Sequence, residues 1–444
     1  MIKAPVEHSP ERNHVGRLSL AYRAASATLI TLGLFWIVWM SFEREWLLVF
    51  INFCYLSAGI FLWKCISDGQ LRSGAALAHF LLFFVIVEIC LIYDVPSEAA
   101  PRTTHIYLLA MAFLLYVTFR KTHPAITYAV ISIYLGCFVI FSSTVFALPN
   151  ADPLPDDVRL VGGWISSATA LAITCACVYI LQSDFATRSS YGRQLLAALS
   201  GNQFELYYQP QVGLSGEMTG AEALIRWNHP TRGMVQPGEF VHAAEDLGIM
   251  PIIGTWVIEA ACRQLSVWQS DPRMGDLKLS INVSPQQFRD EEFVTRLKAI
   301  VARHHVDPTR LQLELTEGMV VSDIEDVIAK MTAIAGFGIT LSLDDFGTGY
   351  SSLKYLKRMP FAAVKIDQAF VRDMLDEERD AAIVKGIIQI GRDLHLKVTA
   401  EGVETEAQRR YLARLGCTSF QGYLFGRPQP ADQLRLLSLQ SCAA

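Results

Sequence analysis

Leu341-Ser342-Leu343-Asp344-Asp345-Phe346-Gly347-Thr348-Gly349-Tyr350-Ser351-Ser352 begins in apolar alternation and passes two adjacent carboxylates. It ends in a loop with two glycines and several hydroxyls. Alternation marks a strand that is buried on one face. Successive strand residues point to opposite faces, but at a strand end the chain curls and both acids can turn towards one site. Two carboxylates that close repel unless cations or protons neutralise them, which suggests a divalent metal site. An acidic residue after a strand also caps a following helix. The pair alone leaves both readings open, and its neighbours decide between them.

Outward from this stretch, strand-like runs alternate with helical ones. The strands are expected at Phe204–Tyr208, Ala221–Arg226, Lys278–Val283, Leu311–Leu315, Thr340–Leu343, Ala363–Ile366, Lys397–Ala400 and Ser419–Leu424. Helical patterns lie between them at Pro251–Trp268, Glu291–His304, Asp323–Ala335, Glu378–Leu394 and Glu406–Leu415. Eight strands alternating with helices over roughly 240 residues predict an α/β barrel of the (β/α)8 type. An open doubly wound sheet is the alternative, but no glycine-rich phosphate loop follows a strand at the required place.

Barrel strands deliver chemistry at their C-terminal ends. Taken in order, those ends carry Glu222, Asn282, Glu314, the Asp344–Asp345 pair, Lys365, Glu401 and Gln421. Chance placement explains one or two such oxygen ligands, and the whole series poorly. Hard oxygen donors without histidine or cysteine suit Mg²⁺ or Mn²⁺ and argue against zinc.

The rest of the chain has a different character. Of 444 residues, 52% are hydrophobic and only 18% charged, and the mean hydropathy is +0.29, too apolar for a wholly soluble protein. A net charge of −5 gives no reason to expect a nucleic-acid polymer as partner. The nine cysteines are scattered through apolar stretches, and Cys175 and Cys177 fit neither a redox pair nor a zinc knuckle. They are read as reduced and structural.

The apolar excess lies almost entirely before Gln182. Runs at Ala24–Trp39, Leu47–Leu62, Ala75–Ile92, Ile106–Phe119, Ala125–Leu148 and Val161–Leu181 approach the roughly 20 residues of a spanning helix. They predict an α-helical transmembrane bundle of about six helices, the fourth short. The polar start from Met1 to Gly16 and the later spans argue against a cleaved signal peptide.

Lys3, Arg12 and Arg17, Lys64 and Arg72, Arg120 and Lys121, and Arg188 and Arg193 fall on one side of these spans. The acidic loops around Glu43 to Glu45, Asp94 to Arg102 and Asp152 to Arg159 fall on the other. The positive-inside rule then puts both termini in the cytoplasm. His79 and Glu88 lie in or near the third span, where ionisable groups are costly and often functional. The plainer reading places His79 at the interface and Glu88 in a polar bundle interior. Trp36, Trp39, Trp46 and Trp63 suit an interfacial belt. The expected organisation is a membrane domain over 1–182, a helical linker over 183–202 and the barrel over 203–444.

Several motifs carry a resemblance. They are Tyr208-Gln-Pro, Glu222-Ala-Leu-Ile-Arg-Trp227, Ile281-Asn-Val-Ser284, Glu314-Leu-Thr-Glu317, Asp344-Asp-Phe-Gly-Thr-Gly-Tyr-Ser-Ser352, Val364-Lys-Ile-Asp367, Ala400-Glu-Gly-Val-Glu404 and Gln421-Gly-Tyr423. In this order Gln203–Pro430 resembles the EAL-type cyclic di-GMP phosphodiesterases along its full length, with no departure at positions that active members need.

The resemblance implies a bacterial inner-membrane enzyme that linearises cyclic di-GMP to 5′-pGpG, with the barrel in the cytoplasm. It implies metal ligands at Glu222, Asn282, Glu314, Asp344 and Asp345, with Glu401 as a further ligand or as the base for the attacking water. Two Mg²⁺ or Mn²⁺ ions would share Asp344, while Asp345 would hold the second. Lys365 would position the water, and Asp367 would orient Lys365. Glu317 and Glu404 would support the loop after the acid pair, and Gln209, Arg226 and Gln421 would contact the substrate. A homodimer through the barrel is also implied. The alternatives are a catalytically silent cyclic di-GMP receptor, a transporter with a regulatory barrel, or a bundle that only anchors. The spans themselves name no ligand.

Overall fold

The computed structural model describes residues 10–120, 122–316, 318–319, 324–347 and 357–441. Lys3, Lys121, Glu317, Asp323 and residues 348–352 lie outside the described residues. The chain divides into two compact units between Tyr191 and Gly192.

The first unit is helical: α1 (Pro10–Phe42), α2 (Trp46–Ser67), α3 (Leu71–Ile92), α4 (Ile106–Phe119), α5 (Pro124–Ser143) and α6 (Asp156–Ser200), the last running past the unit boundary. Among the described residues five helices are long and apolar enough to cross a membrane, and α4 is shorter. The 14 residues of α4 span only ~21 Å at ~1.5 Å per residue. Eight of them, including Leu108, Met111, Leu115 and Thr118, are buried, so protein surrounds this helix on most sides.

The other helices turn large apolar side chains outwards, among them Phe50, Phe53, Phe80, Phe84, Val139 and Trp164. An apolar exterior around a packed interior matches a lipid solvent. Small residues allow α1 and α2 to approach closely. Ser26 donates to the Gly59 carbonyl at 2.6 Å, and a Cβ on Gly59 would meet Ile30 at 2.9 Å.

At one end of the bundle the acidic loops meet. Asp94 Oδ2 accepts the Thr103 and Thr104 N–H groups, each at 2.8 Å. Arg102 donates to the carbonyls of Asp94, Phe141, Thr144 and Phe146 at 2.7–3.2 Å. A guanidinium thus covers the carbonyl end of α5, where a cation is favourable. Arg159 Nε stands 3.5 Å from Asp94 Oδ1. At the other end Arg17 pairs with Asp184 at 3.5 Å.

Two expectations for α3 need correction. Glu88 is exposed rather than lining the interior, and His79 is buried at 5% exposure rather than interfacial. The helical period decides both. Nine residues at ~100° per residue put them on opposite sides of one helix.

In the second unit the strands are β1 (Phe204–Val212), β2 (Met218–His229), β3 (Gly233–Val235), β4 (Lys278–Val283), β5 (Leu311–Thr316), β6 (Thr340–Phe346), β7 (Ala363–Ile366), β8 (Lys397–Ala400) and β9 (Ser419–Gln421). Their order is β1-β9-β8-β7-β6-β5-β4-β2-β3, and pairing of β1 with β2 closes an eight-strand barrel. The fold class is as the sequence predicts, with one departure. β1 runs antiparallel to both neighbours, because Gly213–Glu217 is a tight turn with Gly216 at φ +86°. So short a connection joins only antiparallel strands.

β3 extends β2 as a small hairpin. The helices Pro237–Asp246, Pro285–Arg289, Gln368–Asp373 and Ala431–Ser441 are additional to those read from periodicity. β9 stops at Gln421 instead of running to Leu424, because the chain turns there and the Phe425 N–H reaches the Gly422 carbonyl.

Candidate active site

Register in the barrel brings the strand-end residues together. Glu222 pairs with Ser280, Asn282 with Glu314, Thr316 with Asp344, and Lys365 with Thr399. Glu222 is mid-strand and not terminal, since β2 continues past the barrel rim to pair with β3.

The opening acid pair owes its geometry to a bulge. β6 and β7 match at Leu343–Val364 and again at Phe346–Ile366, so Asp344 and Asp345 together oppose Lys365. The extra residue is accommodated by a left-handed backbone at Asp345, φ +55°. The Asp345 N–H donates to Asp344 Oδ1 at 3.1 Å. Bulged or left-handed conformations at non-glycine residues cluster at functional sites.

Lys365 lies at the centre of the site, 2% exposed. Its Nζ is 2.5 Å from Glu314 Oε2, 3.4 Å from Glu222 Oε2 and 3.4 Å from Asp344 Oδ1, and it also pairs with Glu401 Oε1. Asn282 Nδ2 donates to Glu222 Oε1 at 2.6 Å. Gln421 Nε2 donates to Glu222 Oε2 at 2.6 Å and to Gln209 Oε1 at 3.2 Å. Of the expected metal ligands, Glu222, Glu314, Asp344 and Glu401 therefore surround one ammonium, and Asn282 joins them through Glu222.

Electrostatics at this cluster are unbalanced. Burial alone would depress the Lys365 ammonium, but Glu222, Glu314, Glu401 and Asp344 overcome it and hold it well above its ordinary range. Burial would raise Glu222, yet Lys365, Gln421 and Asn282 bring it below the usual carboxylate value. Glu314 goes the other way: burial and the neighbouring Glu222 push it well up. Burial, with Glu222 and Asp344 nearby, pushes Glu401 up to about 8 despite Lys365. Glu314 is fully buried, and among the described residues its Oε1 has no hydrogen-bond partner.

Four carboxylates facing one ammonium leave negative charge that must be met by protons or by further cations. Among the described residues the acids do not gather into a ready-made cation cage, because their oxygens turn towards Lys365. The donor set, all oxygen with one neutral amide, nonetheless fits a hard divalent cation.

Asp345 turns elsewhere. Burial and Asp344 raise its carboxyl to about 6, and it hydrogen bonds to the Asp367 carboxyl. This corrects the expectation for Asp367, which does not orient Lys365. Its side chain accepts the Ala369 N–H at 2.6 Å as the cap of the following helix. β7 ends at Ile366, so Asp367 follows the turn into the next helix instead of the strand alternation that aims Lys365 inward. Glu404 is exposed, and its N–H donates to Gln408. The loop it was expected to support falls largely outside the described residues, as does Glu317.

Of the expected substrate contacts, Gln209 and Gln421 adjoin Glu222, while Arg226 lies over the Tyr207 ring at 5.6 Å. Gln211 was not foreseen. It donates to Gln421 Oε1 at 3.0 Å, and its position two residues after Gln209 on one strand face was the available signal. Ser280, Ser342 and Ser419, two residues before Asn282, Asp344 and Gln421, are buried hydroxyls without partners among the described residues. Glu401 is aimed by its N–H to the Ile366 carbonyl at 3.1 Å. Gly402 follows at φ +65°, where a Cβ would stand 2.5 Å from Gln368 Cβ, so only glycine fits there.

Residues 192–428 match the family model described as the EAL domain. The bifunctional diguanylate cyclase/cyclic di-GMP phosphodiesterase MucR of Pseudomonas aeruginosa is 45% identical over 241 residues, 54% of this chain and 35% of that protein. The oxygen sensor protein DosP of Escherichia coli is 39% identical over 244 residues, 55% of this chain and 30% of its own length. The chain thus spans about a third of the length of these curated relatives.

Among solved structures, the Pseudomonas aeruginosa MucR phosphodiesterase in complex with c-di-GMP is 43% identical with a TM-score of 0.54, covering 55% of this chain and 99% of that one. The EAL enzyme Bd1971, in its cAMP- and cyclic-di-GMP-bound form, is 30% identical with a TM-score of 0.55, covering 64% and 79%. With the motifs in order, the barrel closed with a reversed first strand and the acids gathered on one lysine, the chain belongs to the EAL domain family.

Proposed function

We propose that this chain is a membrane-bound phosphodiesterase that hydrolyses cyclic di-GMP to 5′-pGpG. The observation that carries the reading is the buried excess of carboxylate over ammonium around Lys365, with Glu314 Oε1 unpartnered. The solved c-di-GMP complex of a 43% identical domain supports the choice of substrate.

Glu222, Asn282, Glu314, Asp344 and Glu401, with Asp345 on the rim, would hold divalent cations, Mg²⁺ or Mn²⁺. Such cations supply Lewis-acid stabilisation of charge on the phosphoryl oxygens. The chain's own groups do the rest. Lys365 Nζ offsets charge developing on a phosphoryl oxygen and orients the attacking water. Glu401, in its carboxylate form, takes a proton from that water. The water oxygen bonds to phosphorus, the bond from phosphorus to the 3′ oxygen breaks, and that oxygen takes a proton from solvent to leave as a hydroxyl while Glu401 returns its own proton to solvent. Gln209 and Gln421 present amides suited to guanine edges, and Arg226 a guanidinium suited to phosphate.

Residues 1–182 form the membrane domain in this reading, 183–202 the linker and 203–444 the catalytic domain. Both termini face the cytoplasm, by the loop charges. The test is hydrolysis by the purified full chain with Mg²⁺ or Mn²⁺, and again with EDTA. Linear 5′-pGpG that disappears with EDTA is expected. Tight binding of cyclic di-GMP without turnover would overturn the reading in favour of a silent receptor.

A further inference from the structure

Beyond the acids, the mouth of the barrel carries cations. Pairing of β1 with β2 sets Gln209 opposite Glu222 and Tyr207 opposite Leu224. Opposed residues share a face, as do residues two apart on a strand. Tyr207, Gln209, Glu222 and Arg226 therefore lie on the side that bears the site. Arg226 lies over the Tyr207 ring at 5.6 Å, and its Nη1 donates to the Ile225 carbonyl at 2.9 Å.

The chain after β9 returns to this face. Gln209 accepts from Gln421 and donates to the Gly426 carbonyl at 3.3 Å. A bridge between Tyr208 and Gln429 then fastens the segment along β1. Within that segment Arg427 lies over the Tyr423 ring at 4.0 Å. Tyr423 is close enough to act on the charge of Arg226, as Tyr207 and Glu222 are. The mouth thus holds two arginines, each set on a tyrosine. Among the described residues neither has a carboxylate at ion-pair distance. Arg427 is exposed and Tyr423 is 50% exposed, so both are open to a ligand.

A guanidinium over a ring is held in place by it and keeps N–H donors for an anion. The acids below repel an approaching phosphate, and cations at the rim offset that repulsion. We propose that Arg427, held by Tyr423, is a specificity-determining residue that receives, with Arg226, the phosphate that is not cleaved. The inference rests on the phosphodiesterase reading. That reading places one phosphate at Lys365, and a cyclic dinucleotide carries a second. The planar fork of arginine matches phosphate oxygens in pairs. The mouth therefore favours a substrate with two phosphates over a diester with one.

The test compares cyclic di-GMP with bis(p-nitrophenyl) phosphate, a diester with a single phosphate, on the purified full chain with Mg²⁺ or Mn²⁺. Arg427→Ala should raise KM for cyclic di-GMP about tenfold with kcat little changed, the factor of one charge-assisted hydrogen bond. Its kcat/KM for bis(p-nitrophenyl) phosphate should match the native value. Tyr423→Ala should raise KM in the same direction by less, and Tyr423→Phe, which keeps the ring, should not. An unchanged KM in Arg427→Ala, beside a native chain that turns over cyclic di-GMP, overturns this inference and leaves the phosphodiesterase reading standing. Equal losses on both substrates overturn it too, because Arg427 is then structural. A native chain that binds cyclic di-GMP without turnover overturns the phosphodiesterase reading alone. The tenfold weakening in Arg427→Ala is then read in Kd, and an unchanged Kd overturns the inference. A native chain that neither binds nor hydrolyses it overturns both.

Discussion

The two units each bury acids against bases, and they do so to different ends. In the helical unit Asp94 meets Arg159, and Arg102 stands nearby with its guanidinium on four carbonyl oxygens. Asp94 also receives two backbone N–H groups. Arg159 also reaches Asp156 at 3.0 Å, so two guanidinium groups answer two carboxylates and the charges balance.

In the barrel, four carboxylates converge on Lys365 and a fully buried Glu314 oxygen has no partner. A buried network whose charges balance fixes a structure, whereas one with surplus charge is shaped for something else. The contrast distinguishes a clamp from a site without any appeal to position in the chain.

That contrast can be broken by substitution. Removing the one ammonium should have the largest effect. Lys365→Ala should lower kcat for cyclic di-GMP by about a thousandfold or more, the scale of a lost electrostatic group at a phosphoryl centre, and Glu222→Ala should do the same. Near-normal turnover in either variant would make the barrel cluster merely structural.

Next comes the clamp. Asp94→Ala leaves Arg159 with only the more exposed Asp156 and two N–H groups without an acceptor, at a cost of about 3 kcal/mol. The thermal unfolding of the helical unit in detergent should fall by several degrees, while an unchanged midpoint would mean that the acidic-loop network does not hold the bundle. The smallest effect concerns Gln421, which touches both Glu222 and Gln209. Gln421→Ala should raise KM about tenfold with kcat reduced less. A fall in kcat at constant KM would show instead that Gln421 serves to orient Glu222.

Much of the barrel could be read from the chain, because strand and helix periods are local properties. β4, β7 and β8 begin and end where alternation and turn residues put them. The reversed β1 was written in Gly213-Leu-Ser-Gly216, a turn too short for a crossover, although periodicity alone says nothing about direction. The short helices such as Pro285–Arg289 were beyond reach, since five residues show no period. In the helical unit composition located all six helices. The inward side of His79 and the outward side of Glu88 depended on which neighbours α3 packs against, and an almost uniformly apolar helix carries no polar face to announce it.

The opening stretch, Leu341 to Ser352, shows where that boundary lies. Residue types and spacing were enough to place a carboxylate pair at a strand end, in a series of oxygen donors on successive strands. They were enough to identify the family and the membrane character of the first half, because motifs, periods and hydropathy are properties of neighbouring residues. The bulge that sets Asp344 and Asp345 against Lys365 came from folding, as did the turn of Asp345 towards Asp367 and the meeting of Glu222, Glu314, Asp344 and Glu401 on one ammonium. These contacts join residues up to 143 positions apart, and they depend on the register and closure of eight strands. No local pattern encodes which cation a given acid will face once the barrel has closed.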